Sequence, residues 1–475
     1  MKEETSAWLN SDDSKEYFEL LRFPSIGAEP EHLRDCVQCA TWLKKWLRTI
    51  GAEAELVLPP PGDDPSVADP PVVFAEMKGA EGAPTILFYG HYDVQPPDPL
   101  ELWQTPPFEP TVRDGRVHAR GAQDDKGQFF GFLCGLRRHL AAGGRRPNLK
   151  IVLEGQEESG SCGLFRLLED RSFRQRLAAD VLLVCDTSAA AGLRPAIVAG
   201  LRGVNHFTVR LTAASRDLHS GEYGGIAPNA AQGMAELMAS LHNPDGSVAV
   251  AGFRDGIEPP SPEELRTAEE ALRASAGDAP SVDRRDPVAR LYETDIGCEP
   301  VGGQLGKSIA QRNSFEPTVE VNGIHSGYGG PGSKTVIPCE AIAKISTRLV
   351  PGQSPAATFE AIRRHLEDRV PRGMKLAIED LTGNAKAFRL PLASPLFKLA
   401  ESVLAEMDPR GALFMWDGAS IPVISAIREA SGAAPLLVGW GQSEDRIHSP
   451  NESYSPEQFV RAGEWAAKIV PALTD

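Results

Sequence analysis

The hydrophobic positions of this chain fall into two textures. Up to about residue 203, apolar runs of strand length alternate with longer stretches of helical period. Leu33, Val37, Ala40, Leu43, Trp46 and Leu47 recur at helical spacing, which predicts helix within residues 11–50, and Gly51 stops it. Val72–Met77, Thr85–Tyr89, Leu149–Leu153 and Val181–Cys185 are short apolar runs rich in branched and aromatic residues, the pattern of buried strands. An apolar stretch from Gln128 to Ala142 predicts a helix before the third of these. The order strand, helix, strand, helix, strand predicts an α/β domain with a mostly parallel sheet flanked by helices.

From about Val204 the texture changes. Phe207–Leu211 alternates, Val319–Val321 and Ala343–Leu349 read as strands, and Asn229–Leu241 and Thr358–Leu366 read as helices. Residues 244–314 are rich in Pro, Gly and charge, with one short helix at Pro262–Ala274. Helices at Ser394–Met407 and Pro456–Ile469 then return to the first texture. This predicts an α+β domain over 204–383, inserted into a first domain that occupies 1–203 and 384–475. A chain of 475 residues carries two or three domains on size alone. Pro96–Pro110 is a Pro-rich connection containing Trp103 and Phe108, and Asp114-Gly115 is a hairpin turn signal.

A net charge of −16 and a pI near 5.2 argue against nucleic acid and anionic membrane as partners. No apolar run reaches membrane-spanning length. The acidic start Met1-Lys2-Glu3-Glu4-Thr5 lacks the apolar region of a signal peptide. Seven cysteines, an odd number in a long chain, imply a reducing compartment, so the expected location is cytoplasmic. Cys36-x-x-Cys39 has no second pair, and it reads as buried thiols rather than a metal or redox site.

The predicted strand ends change the picture from fold to chemistry. Ligand sites of parallel sheets lie at the C-terminal ends of the strands. His91 and Asp93 follow Thr85–Tyr89, Glu157 and Glu158 follow Leu149–Leu153, and Asp186 follows Val181–Cys185. His91 and Asp93 stand at i and i+2, so they share one side of an extended segment. Asp124-Asp125 lies just before the Gln128–Ala142 helix, and a late His448 stands in His448-Ser449-Pro450-Asn451-Glu452. Each alone has a plainer reading: a solvated acid pair, a helix cap, a turn residue. Together they are what a dinuclear hydrolytic site needs: carboxylates, one of them bridging, one or two His, and a carboxylate that is not a ligand and takes the proton of the attacking water.

His91-x-Asp93, Gly121-x-x-Asp124-x-Lys126-Gly127, Glu157-Glu158 and His448 resemble the M20 family of metallopeptidases. Asp217–Gly225, Gly332–Pro338, Ser346–Pro351 and Gly418–Pro422 resemble its cytosolic nonspecific dipeptidase and carnosinase branch, and the likeness covers nearly the whole chain. The resemblance implies a metallodipeptidase with two divalent ions per subunit, Zn or Mn, with Co also accepted. It implies that His91 and Asp186 hold one ion, Glu158 and His448 the other, and that Asp124 bridges them while Asp125 does not bind. It implies Glu157 as general base of a bridging hydroxide, and Asp93 as the residue that orients His91. It also implies a cis Asp124–Asp125 peptide. The inserted domain would be a lid that mediates homodimerisation. His219 would reach the partner subunit's site to bind substrate and stabilise the oxyanion. Arg348 would bind the substrate carboxylate, and Ser420 would help bind the substrate. His118, where the branch has an aromatic residue, and Ala189–Gly192 depart from the pattern and leave side-chain preference open.

Gly327–Thr335 superficially resembles a phosphate loop, but the Gly-Lys-Ser/Thr ending is absent and Pro331 interrupts it. There is no His-Glu-x-x-His motif and no Gly-x-Ser-x-Gly elbow. The alternatives are an aminoacylase or carboxypeptidase of the same superfamily, acting on N-acyl amino acids or longer peptides, and a non-catalytic dimeric scaffold.

Overall fold

In the computed structural model, which describes residues 7–62, 68–276, 286–380 and 384–474, the apolar run ending in His91 is the strand Thr85–His91. It pairs in parallel with Asn148–Glu154 on one side and Val181–Val184 on the other. Ala434–Leu437 adds a fourth parallel strand beyond Val181–Val184. Antiparallel strands flank this set: Val72–Met77 and then Glu53–Val57 on one side, Ala196–Leu201 on the other. The fold is therefore α/β, with the parallel pairing concentrated in the centre of the sheet. Ile86, Leu87, Phe88 and Tyr89 are fully buried, and Phe88 stacks on Phe132 of the helix Lys126–Ala141 with ring centroids 4.3 Å apart. That helix packs on the C-terminal helix Pro456–Thr474 so closely that a Cβ on Gly135 would lie 2.0 Å from the Gly463 carbonyl oxygen. Only glycine permits this approach.

The chain separates into two compact units. The first comprises Met1–Ala199, Leu390–Met415 and Ala426–Asp475; the second comprises Gly200–Arg389 and Trp416–Ser425. The expected boundaries were 203 and 383, and the latter position lies outside the described residues. Trp416–Ser425, expected in the first domain, belongs to the second unit because polar bonds hold it there. Arg202 Nε donates to the Gly418 carbonyl at 2.8 Å, and Ser314 Oγ donates to the Trp416 carbonyl at 3.0 Å.

Local chemistry explains the other differences. The helix expected within 11–50 is two helices, Asp12–Leu21 and Leu33–Thr49, because Pro24 and Pro30 interrupt it. The stretch 244–314 holds a second helix, Pro287–Ile296, whose N-cap Asp286 accepts from the Val288 N–H. The Asp114-Gly115 turn joins Thr111–Arg113 to Arg116–His118, with φ of 52° and 76°, both left-handed as a two-residue hairpin loop of this type requires.

The second unit is built on a four-stranded antiparallel sheet in the order Thr318–Ser326, Glu340–Leu349, Gly203–Thr212, Lys375–Asp380. Phe207, Val209, Leu211 and Ile345 from the sheet form a core with Met234 and Leu237 of Ala230–Ala239 and Ile362 and Leu366 of Pro355–Glu367. Among the described residues, no helix is long and apolar enough to cross a membrane.

Candidate metal centre

The C-terminal ends of the central strands converge in the first unit. His91 is the last residue of its strand, and its Nε2 lies 3.1 Å from Asp124 Oδ1 and 3.7 Å from Asp186 Oδ2. His448 Nε2 lies 2.9 Å from the other Asp124 oxygen and 3.2 Å from Glu158 Oε2. Asp124 thus turns one carboxylate oxygen to each imidazole. Two groups of metal-competent side chains result: His91 with Asp125 and Asp186, and Asp124 with Glu158 and His448. Asp125, expected not to be a ligand, falls near enough to join the first group. Its Oδ2, however, accepts the His91 backbone N–H at 3.3 Å. The Asp124–Asp125 peptide is cis.

Two of these side chains, His91 and Glu158, are held from behind. Asp93 accepts the Glu157 and Glu158 backbone N–H groups on its two oxygens, at 3.2 and 3.1 Å. The His91 Nδ1 faces the Asp93 carbonyl at 3.2 Å and its carboxylate at 3.4 Å. Gln95 Nε2 donates to Glu158 Oε2 at 2.7 Å. Lys126 is buried, and its ammonium donates to the carbonyls of Leu20 and Phe23, pinning the start of its helix. Sequence reasoning assigned no role to Gln95, although its place two residues after Asp93 was a signal. His118, the departure from the branch pattern, is buried 3.3 Å from Arg113 Nη2; burial and that guanidinium push its pKa down.

The electrostatics follow from crowding acids in a buried place. Burial, reinforced by Asp124, pushes Asp186 up to about 7. Burial raises Glu157 well above the usual carboxylate range, with Asp186, Glu158 and Asp124 adding to it and His91 opposing. Glu158 is raised by burial and by Asp124. Asp124 goes the other way: burial opposes ionisation, but hydrogen bonds from His448 and His91 hold its carboxyl well below the usual range. His448 is pushed up to about 10 by its bonds to Asp124 and Glu158. Among the described residues no Lys or Arg pairs with Asp124, Glu157, Glu158 or Asp186. The cluster therefore attracts protons for want of another cation. Bound divalent ions would supply that charge and invert the pattern. Hard carboxylate oxygens with borderline imidazole nitrogens suit Zn, Mn or Co, and the two donor groups suit two ions.

The second unit carries the remaining candidates. Arg348 Nη1 donates to Ser420 Oγ at 2.8 Å, so these two are brought together. Arg202, which the sequence reading missed, is buried nearby; burial and the Arg348 charge lower its pKa to about 10. His219 stands on an exposed two-residue strand paired with Val336, and its Nδ1 accepts the Gly221 N–H at 3.0 Å.

The chain matches peptidase family M20/M25/M40 over residues 87–472. It is 28% identical to the Beta-Ala-His dipeptidase of Homo sapiens, over 84% of this chain and 76% of that protein. It is 28% identical to the Cys-Gly metallodipeptidase dug1 of Schizosaccharomyces pombe, over 92% of this chain and 90% of that one. Among solved structures it is similar to the M20 family metallo-carboxypeptidase Sso-CP2 of Sulfolobus solfataricus, with a TM-score of 0.83, 25% identity, and coverage of 98% and 99% of the two chains.

Proposed function

This chain belongs to peptidase family M20/M25/M40, and from that premise we propose how its residues divide the work of a metallodipeptidase. The observation that carries the assignment is Asp124, with one oxygen 3.1 Å from His91 and the other 2.9 Å from His448. Two divalent ions, Zn or Mn with Co also accepted, would be held here. His91 and Asp186 would hold one, Glu158 and His448 the other, and Asp124 would serve both. Asp125 is left out of the ligand set, because it is Asp124 that turns one oxygen to each imidazole while an Asp125 oxygen accepts the His91 N–H. When bound, the ions supply Lewis-acid polarisation of a carbonyl oxygen and acidify water.

Glu157 belongs to neither donor group, and its side chain has no hydrogen-bond partner among the described contacts. It takes the proton of the attacking water and returns it to the leaving amine. Asp93 directs the Nδ1 side of His91 inward, which leaves Nε2 for the metal. Arg348, steadied by Ser420, grips the carboxylate of the dipeptide with its planar fork. His219 stabilises the oxyanion in the partner subunit of a homodimer. Supporting the dimer, Thr318–Ser326 is an edge strand of the second unit's sheet, with Val321 37% and Ile324 53% exposed. Edges of this kind invite pairing with a second copy. The seven free cysteines support a cytoplasmic location.

The test is kinetics after reconstitution with Zn²⁺, Mn²⁺ or Co²⁺. Free dipeptides are hydrolysed and their N-acetylated forms are spared. The reverse preference would select the aminoacylase or carboxypeptidase reading. That reading has the Sulfolobus solfataricus structure behind it and is not favoured, because the curated relatives are dipeptidases.

A further inference from the structure

One buried carboxylate outside the ligand set ties together the two loops that carry Asp124 and His448. Glu452 is 1% exposed and lies four residues after His448. Its Oε1 accepts the backbone N–H of Gln123 at 2.9 Å and of Asp124 at 3.1 Å. Its Oε2 accepts the backbone N–H of Gly121 and the Arg120 Nη1, both at 2.9 Å. The Glu452 carbonyl also accepts the Ala119 N–H at 3.2 Å. The segment from Ala119 to Asp124 is therefore wrapped around a residue 328 positions away from Asp124. Arg120 closes the arrangement: it is 1% exposed, lies over the Trp103 ring at 5.5 Å, and donates to the Pro96 carbonyl at 3.3 Å.

We propose that Glu452 is a positioning residue of the metal centre: by accepting the N–H groups that precede and include Asp124, it fixes where that carboxylate stands relative to His448. An ionised carboxylate offers about four acceptor positions and no donor, and four donors fill them here. A glutamine side chain of the same shape offers one acceptor oxygen and turns an NH₂ group toward the remaining N–H donors. It can hold Gln123 and Asp124, or Gly121, but not both sets. The Asp124 loop then loses its fixed distance from the His448 loop. This inference rests on the reading of Asp124 as a metal ligand.

The experiment is a Co²⁺ titration of the metal-free full-length protein, followed by visible absorption, with the melting temperature of the apo form measured alongside. Glu452→Gln is compared with a double variant, Glu452→Gln with Arg120→Met, which removes both buried charges so that neither is left unpaired. Asp124→Ala is the control. Outer contacts to ligands are worth 10–100-fold in metal affinity. The expected result for the double variant is Co²⁺ binding weaker by about that factor, altered absorption bands, and an apo form that still unfolds cooperatively, with a fall in stability smaller than the loss in metal affinity. Wild-type affinity and bands would overturn the proposal. So would an equal loss of apo stability, which would assign Glu452 to the fold rather than to the centre. If Asp124→Ala binds two Co²⁺ as wild type does, the bridging reading itself falls and takes this proposal with it.

Discussion

Glu157→Gln replaces one oxygen by an amide nitrogen at nearly constant volume. The Glu157 backbone N–H that anchors Asp93 is untouched, and the side chain belongs to neither donor group. On the proposed assignment both ions should therefore stay. What would be lost is the group proposed to take a proton from water, and general-base catalysis contributes about 10²–10⁴-fold. At 1.36 kcal/mol per tenfold, that is about 3–5 kcal/mol of barrier. The structure decides where in this range the loss falls. Several neighbouring acids are already engaged: Asp124 has both imidazoles, Glu158 has His448 and Gln95, Asp186 lies 3.7 Å from His91, and Asp93 has two N–H groups. With these acids committed elsewhere, the expected loss lies in the upper half, about 10³–10⁴-fold in kcat. KM changes little, because the interaction is made only in the transition state. The assay pairs amine release from a free dipeptide with metal content by plasma emission. Turnover within threefold of wild type at full metal occupancy would remove Glu157 from the mechanism.

Two further outcomes test the site. Asp124→Ala should lose bound metal and activity, whereas Asp125→Ala should retain more metal because Asp124 is the residue that turns an oxygen to each imidazole; metal lost only from the Asp125 variant would reverse the assignment. Mixing inactive His219→Ala and Glu157→Gln proteins under subunit exchange should restore activity to at most half the sites of each mixed dimer, and no recovery despite demonstrated exchange would show that His219 does not act across subunits.

The sequence made the middle of the sheet legible because burial writes it plainly. Thr85–Tyr89 and Val181–Cys185 are largely apolar runs; the first is followed by Gly90 and His91 and the second by Asp186, and His91 and Asp186 are residues of the candidate site. The neighbouring parallel strand Ala434–Leu437 escaped notice: it is four residues long and contains Pro435, which argues against a central strand. Its pairing with Val181–Val184 is set by tertiary packing that no local window reports. Trp416–Ser425 groups with the second unit through contacts of the same non-local kind, since the bond from Arg202 to Gly418 spans 216 residues.

The candidate site divides along a similar line. Residue type and place at a strand end are local properties, so His91, Glu157, Glu158 and Asp186 could be picked out from the residues themselves. Orientation is not local. Asp124 and Asp125 are identical in chemistry and adjacent in sequence, and the residues alone left the choice between them open until the family resemblance favoured Asp124. In the folded chain they differ sharply: Asp124 turns its two oxygens toward His91 and His448, while Asp125 turns one toward the backbone of His91. That difference requires the 119–124 segment to be held from behind, and the residue that holds it, Glu452, is over three hundred positions downstream. A carboxylate at the end of His448-Ser449-Pro450-Asn451-Glu452 carries no local sign of that task. Metal ligands can thus be read from a sequence more readily than the groups that aim them. A ligand must have a particular chemistry at a particular strand end, whereas a positioning group need only have acceptors where the fold happens to bring the donors.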